Sequence, residues 1–239
     1  MQAISKPSSF ASSLCLGICL VLFNLAPAEA QPAGRSGGSA ADTAVSSSAI
    51  RAVEAIILAR RLVSFGEQTR SALALATAAQ ILIENPTVPL ELRGTDGRTG
   101  VESQPRFLNA QSVLAEARAH SGNDPALKSL IARLDAAARA TPRGTGTGPR
   151  QRYEQIAARG RLIHDIAFLG KAPAVVYVSG DGGTKLELGV YDSQGRLVAS
   201  DVTRFGDCLV SWVPLKSDRY RIAVTNRDAT PDWYLLITN

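Results

Sequence analysis

The chain changes its hydrophobic periodicity once, and the change falls at a break that no regular element can cross. Residues 49–140 are rich in Ala, Leu, Ile and Arg, with apolar residues at helical spacing; past residue 149, Val, Tyr, Thr and Gly take over and apolar residues alternate with polar ones. Between the two stands Thr141-Pro-Arg-Gly-Thr-Gly-Thr-Gly-Pro149. Its prolines lack the N–H a helix needs, and its glycines lose the most backbone entropy on ordering. A helical period does not sit still as a strand, nor the reverse. The pattern therefore predicts a two-domain α + all-β chain. A small helical bundle is expected over 49–140, a Gly/Pro/Arg linker over 141–152, and an antiparallel, jelly-roll-like β-sandwich over 153–239.

Four helices are expected in the first part. The clearest opens with Asp124-Pro125, a side chain that can accept from the unpaired first-turn N–H groups followed by a residue suited to the first helical position. Leu127, Leu130, Ile131, Leu134 and Ala138 then form one stripe, with Lys128 and Asp135 off it. The helix before it carries Phe107, Ala110, Leu114 and Ala117 on one face, and the short Ser121-Gly-Asn link makes the two antiparallel. Two earlier helices, about 49–63 and 69–84, are expected to join near Gly66 and to stop at Pro86. Their broad apolar faces predict packing on several sides. The repeat of about 34 residues that marks tetratricopeptide arrays is missing, which favours a bundle. The polar connection 85–104, containing Gly94-Thr-Asp-Gly97, is long for a compact domain and is the one loop of this half with the length of a functional loop.

The second part reads as seven short strands. Leu186, Leu188 and Val190 point one way while Lys185, Glu187 and Tyr191 point the other, and Asp192-Ser-Gln-Gly195 makes a turn. Cys208, Val210 and Trp212 alternate with Leu209, Ser211 and Val213, and Tyr220, Ile222 and Val224 with their neighbours. Strands are also expected over 163–168, 174–178, 197–199 and 233–237. Short strands separated by turn signals make an antiparallel sandwich.

Export is expected from the N-terminus. Lys6 precedes the apolar run Phe10–Phe23, which breaks at Asn24 and Pro27, and Ala28-Glu-Ala30 supplies small residues for cleavage. That is the pattern of a signal peptide over 1–30, followed by a disordered Gly/Ser leader over 31–48. The run is shorter than the roughly 20 residues a bilayer span needs, and no later stretch suits membrane insertion. Periplasmic or secreted localisation follows. Cys15 and Cys19 would leave with the signal, so only Cys208 would remain, and one cysteine cannot staple a fold internally. Cys208 reads as a small buried hydrophobe. The formal charge of +5 is modest and spread along the chain. The run 143–161 holds five arginines against Glu154 but no interleaved aromatics to stack bases, so nucleic acid is a poor partner.

The second half also carries wording of its own. Val178-Ser-Gly-Asp-Gly-Gly-Thr-Lys-Leu-Glu-Leu-Gly-Val-Tyr-Asp192, Gly195-Arg-Leu-Val-Ala-Ser-Asp201, Tyr220-Arg-Ile-Ala-Val-Thr-Asn226 and Tyr234-Leu-Leu236 follow in order. Together they resemble the bacterial pre-peptidase C-terminal domain over about 161–239. The resemblance implies a β-sandwich appended to secreted proteins, some of which bind calcium or extracellular polymers. The calcium set it implies here is Asp181, Asp192, Asp201 and Asp207. The family's acidic turn, however, has lost aspartates to Gly183 and Lys185 and one to the longer Glu187. Calcium takes six to eight oxygen ligands, and an ammonium in the cluster opposes it. The four aspartates read rather as turn residues bonding their own backbone, and no cofactor is expected.

Catalytic groups fail on inventory. The two histidines, His120 and His164, fall in different halves, and neither a His-Glu-x-x-His helix nor a Gly-x-Ser-x-Gly elbow is present. His164-Asp165 resembles an orienting pair, but adjacent strand residues face opposite ways. The expected function is a non-enzymatic exported accessory protein whose partner is an envelope protein or extracellular polymer, with the helices making protein contacts and the sandwich serving as an adhesive or spacer. A carbohydrate- or peptidoglycan-binding module is the alternative, with Tyr177, Tyr191 and Trp233 as outward-facing platforms; a hydrolase with an unrecognised site is the second.

Overall fold

The first helix, α1 (Ala40–Thr69), is longer than its apolar stripe alone would set and takes in Gly66. A computed structural model of the chain describes residues 40–91, 108–140, 148–181, 183–202 and 207–239, with side chains from 48 onward. Residues 1–30, where a signal peptide is expected, Phe107, the segment Gly94–Gly97 and residues 141–147 lie outside the described residues. The leader expected over 31–48 therefore ends at 39 at the latest. Ala40-Ala-Asp-Thr-Ala-Val extends the helix, because alanine has the highest helix propensity.

Gly66 is not the joint between the first two helices. It lies inside α1, where an added Cβ would stand 2.7 Å from Leu75 Cγ. The glycine lets α2 (Ala72–Glu84) approach closely. The actual joint is Arg70, at φ +54°, and Ser71, whose hydroxyl accepts from Ala74 N–H at 3.3 Å and caps α2. α3 (Ala110–His120) starts on Asn109, whose side chain accepts from Ser112 N–H at 2.8 Å. α4 (Pro125–Ala140) starts as its sequence predicts, with Asp124 accepting from Ala126 and Leu127 N–H at 2.9 and 3.1 Å. Its stripe of Leu127, Leu130, Ile131, Leu134 and Ala138 packs on the helical core.

Eight strands make the sandwich: β2 (Arg150–Ile156), β3 (Arg161–Phe168), β4 (Ala174–Gly180), β5 (Leu186–Tyr191), β6 (Leu197–Val202), β7 (Asp207–Trp212), β8 (Asp218–Asn226) and β9 (Asp232–Thr238). They form antiparallel sheets in the orders β2-β9-β4-β7 and β3-β8-β5-β6. With β2 taken as the first of eight, this is the two-Greek-key strand order of a jelly roll. A two-residue strand, β1 (Val88–Pro89), adds to the outer edge of β2 in parallel. Most of the connection expected over 85–104 lies outside the described residues, but its start is therefore strand, and Leu90 is buried in the sandwich.

β2 was not expected. It begins at Arg150, inside the segment expected as linker, and its sequence Arg-Gln-Arg-Tyr-Glu-Gln-Ile hides an alternation of polar residues. Gln151 and Tyr153 face the helices, while Arg152, Glu154 and Ile156 face the sandwich interior. Tyr153, Val175, Tyr177, Leu235 and Ile237 belong to one apolar cluster with α1–α4, and Ile156, Val176, Val178, Tyr234 and Leu236 to the cluster between the sheets. The five-stranded sheet is thus covered on both faces. Residues Gly38–Asn239 form one compact unit of three layers: helices, five-stranded sheet, four-stranded sheet. The helical and β parts are not tethered only by a linker; they share a core.

Candidate functional site

A cavity of about 580 Å³ opens where α1 and α3 meet one end of the five-stranded sheet. Its floor is one register row across the sheet. Tyr153 of β2 pairs with Leu235 of β9, Leu235 with Ser179 of β4, and Ser179 with Asp207 of β7, and all four line the cavity. Its roof is polar: Arg60, Arg61, Ser64, Glu67 and Gln68 from α1, Ser112 and Glu116 from α3.

Two matching sets of side chains cross from roof to floor. Arg60 Nη2 lies 2.6 Å from Asp181 Oδ1, and the Tyr153 hydroxyl donates to Asp181 Oδ2. Arg61 Nε lies 3.9 Å from Asp207 Oδ2, and the Tyr177 hydroxyl donates to Asp207 Oδ2 at 2.8 Å. The adjacency follows from geometry. Neighbouring helix residues point about 100° apart, so Arg60 and Arg61 straddle the sheet end. Asp181 directly follows β4 and Asp207 opens the antiparallel β7, which brings both carboxylates to the same end. Tyr177 is buried, and loss of water pushes its hydroxyl up to about 12, with the Asp207 carboxylate acting in the same direction. It remains a hydrogen-bond donor at neutral pH. Tyr153 is braced from behind by Trp233, stacked at 5.1 Å with ring planes 7° apart.

The structure distributes the sequence candidates as follows. Of the four aspartates, Asp181 and Asp207 reach the cavity. Asp192 accepts from Gln194 and Arg196 N–H, both at 2.9 Å, inside its own turn, and Asp201 accepts from Leu209 N–H at 2.8 Å. Among the described residues no three His, Cys, Asp or Glu side chains gather as metal ligands would. Of the aromatic candidates, Tyr177 is not an outward platform: it is 1% exposed beneath the helices, which occupy that face of the sheet. Trp233 packs against the same helix-facing core. Tyr191 does face out from the other sheet, lying across Gly189 with the Arg161 guanidinium 5.4 Å above its ring. The three share no surface. Cys208 is buried, its thiol donating to the Leu186 carbonyl at 3.2 Å.

A second polar group sits inside the sandwich, at the side closed by β2 and β3. His164 Nε2 lies 2.6 Å from the Tyr234 hydroxyl and 3.7 Å from Glu154 Oε2, and Glu154 pairs with Arg152 at 2.9 Å. Burial lowers the imidazole to about 4, the nearby Glu154 opposing that shift only in part. Burial likewise raises the Tyr234 hydroxyl well above its ordinary range. His164 is a neutral strand residue, and His164 Nδ1 meets no hydrogen-bond partner among the described residues. Asp165 points to the opposite face, as alternation requires.

Sequence reasoning missed Arg60, Arg61 and Tyr153. The usable signal was a pair of adjacent arginines inside an otherwise apolar helical stripe.

No family model matches the chain, and no curated protein matches it. Several solved structures are similar to a part of the chain. The pre-peptidase C-terminal domain of a Bacillus anthracis collagenase matches with a TM-score of 0.34 and 10% identity, over 37% of this chain and 87% of that one. Aeromonas hydrophila PliG, a periplasmic inhibitor of g-type lysozyme, matches with a TM-score of 0.32 and 12% identity, over 41% and 90%. TmCBM61, solved in complex with β-1,4-galactotriose, matches with a TM-score of 0.25 and 16% identity, over 35% and 63%.

Proposed function

We propose that the chain is an exported, non-enzymatic binding protein that receives a polar segment of an envelope protein or extracellular polymer in the cavity between its helices and its sandwich. The observation that carries this reading is the pair of Arg–Asp–Tyr sets facing each other across one cavity. Asp181 is fixed by Arg60 and the Tyr153 hydroxyl, and Asp207 by the buried Tyr177 hydroxyl, so these carboxylates have little side-chain entropy left to lose on binding, while the largely exposed Arg61 stands 3.9 Å from Asp207. A few fixed polar groups in a concave site are what orient a ligand. Export is supported by the N-terminal apolar run and small-residue cleavage pattern. Among the described residues no helix is long and apolar enough to cross a membrane.

The test blocks the cavity without touching either core. Gln68 is exposed at its rim, so Gln68→Trp fills the space at little cost to folding. Immobilised protein is challenged with purified peptidoglycan and with envelope extract. Retention by the native chain, reduced at least tenfold by Gln68→Trp, is the expected result. Failure of the native chain to retain anything, or equal retention by the variant, overturns the reading.

A further inference from the structure

We infer that the end of the sandwich opposite the cavity is a peripheral attachment surface for an anionic phospholipid membrane. Two loops meet there: 169–173 between β3 and β4, and 213–217 between β7 and β8. They are stitched together by Lys171 N–H donating to the Pro214 carbonyl at 2.6 Å and Gly170 N–H to Ser217 Oγ at 2.9 Å. The approach is so close that a Cβ on Gly170 would stand 2.5 Å from the Lys216 backbone. Their apolar side chains nevertheless stand in solvent: Leu215 is 89% exposed, Leu169 72% and Val213 59%. Leu215 and Leu169 head the described large hydrophobic residues in exposure.

Charge says what covers them. Lys171 and Lys216 are exposed on the same two loops, and Lys171 is held at φ +59°, a conformation that non-glycine residues rarely adopt. Arg196, in the β5–β6 turn at this end, and Arg219, at the start of β8, add two cations, against the carboxylates of Asp192 and Asp218. The lining of the cavity at the other end has the opposite balance, with Glu67, Glu116, Asp181 and Asp207 set against Arg60 and Arg61. The ends lie a strand length apart, roughly 20 Å along β4. Apolar tips flanked by two lysines, Lys216 lying 3.7 Å from Asp218, fit the boundary between headgroups and acyl chains, where leucine leaves water and the ammonium groups meet lipid phosphate. The attachment is by loop tips and needs no spanning segment. It stands independently of the cavity reading.

The experiment is co-sedimentation with vesicles, using the unit Gly38–Asn239, which contains both cores and lacks the apolar run Phe10–Phe23. Vesicles of phosphatidylcholine alone are compared with vesicles containing phosphatidylglycerol. Binding is expected only to the anionic vesicles, falling as salt is raised. Leu169→Ser with Leu215→Ser, both at exposed positions, is expected to reduce it at least tenfold with thermal unfolding unchanged. Lys171→Glu with Lys216→Glu acts in the same direction, and Gln68→Trp leaves it unaltered. Absence of binding to anionic vesicles, or binding that the double leucine variant retains, overturns the inference. A dimer in sedimentation velocity that the leucine substitutions abolish, without vesicle binding, overturns it in favour of a second copy of this chain.

Discussion

Apart from the two-residue β1, the two sheets of the sandwich have four strands each, and they differ in surroundings. The four-stranded sheet has one face on the core and one on water, and its strands alternate accordingly: Leu186, Leu188 and Val190 are buried while Glu187, Gly189 and Tyr191 are half-exposed. The other sheet has no wet face over its central strands. Ala174 to Ser179 of β4 are buried without interruption, and so are Tyr234 to Thr238 of β9. A strand buried on both sides reads as a continuous apolar run. Ala174-Val-Val-Tyr-Val and Tyr234-Leu-Leu-Ile are such runs. The contrast teaches that the helices are a third layer of one fold.

Substitutions at matched outward positions test that contrast most strongly. Ile237, fully buried under the helices, and Ile163, 38% exposed on the other sheet, both point away from the sandwich interior. Ile237→Ala is expected to cost about 2–5 kcal/mol, as deletions in closed cores do, and Ile163→Ala under about 1 kcal/mol. Urea denaturation of both variants measures the difference. Equal costs would mean that the helices do not close over the sheet.

Next in size is the pH dependence of the sandwich interior. His164 falls from 6.5 to about 4 on folding, so between those values the unfolded chain binds the extra proton. Its contribution is fully present above pH 6.5 and is lost as pH falls through about 4, on the order of 3 kcal/mol. Stability at pH 7 and pH 4 should differ less, by roughly that amount, in His164→Gln than in the native chain. An unchanged pH profile would show that the imidazole is not buried neutral.

The smallest effect belongs to the seam itself. Arg60 and Asp181 retain 17% and 25% side-chain exposure. Breaking the pair with Arg60→Ala is expected to lower stability by about 1 kcal/mol or less. The same change should weaken ligand capture far more than it weakens the fold. Parallel losses in a thermal melt and in the capture assay would reduce the pair to a structural clamp.

Where local chemistry decides, residues read alone were enough. Asp124-Pro125 starts α4, alternation sets β5 and β8, and the Asp192–Gly195 turn closes its hairpin, with Gly195 at φ +81°. Where a residue's role depends on a distant partner, the reading failed. Glycine is a poor helix former, so Gly66 by itself predicts a helix end, whereas Leu75 across the interface is what requires it. β2 escaped because its polar residues are covered by partners distant in sequence: Gln151 donates to the Leu108 carbonyl, and Glu154 lies beside His164 and Tyr234. Arg60 and Asp181 are 121 residues apart, so no spacing rule could have joined them.

By itself, then, the sequence determined two kinds of element and the point of change between them, because periodicity and turn chemistry are local. It also determined a sandwich, because half-buried strands write their two faces in alternation. Only the tertiary structure decided that the helices lie on that sandwich and that two arginines of α1 reach two aspartates at the end of one sheet. Those facts depend on which apolar surfaces meet, and many distant surfaces are equally apolar until the chain has folded.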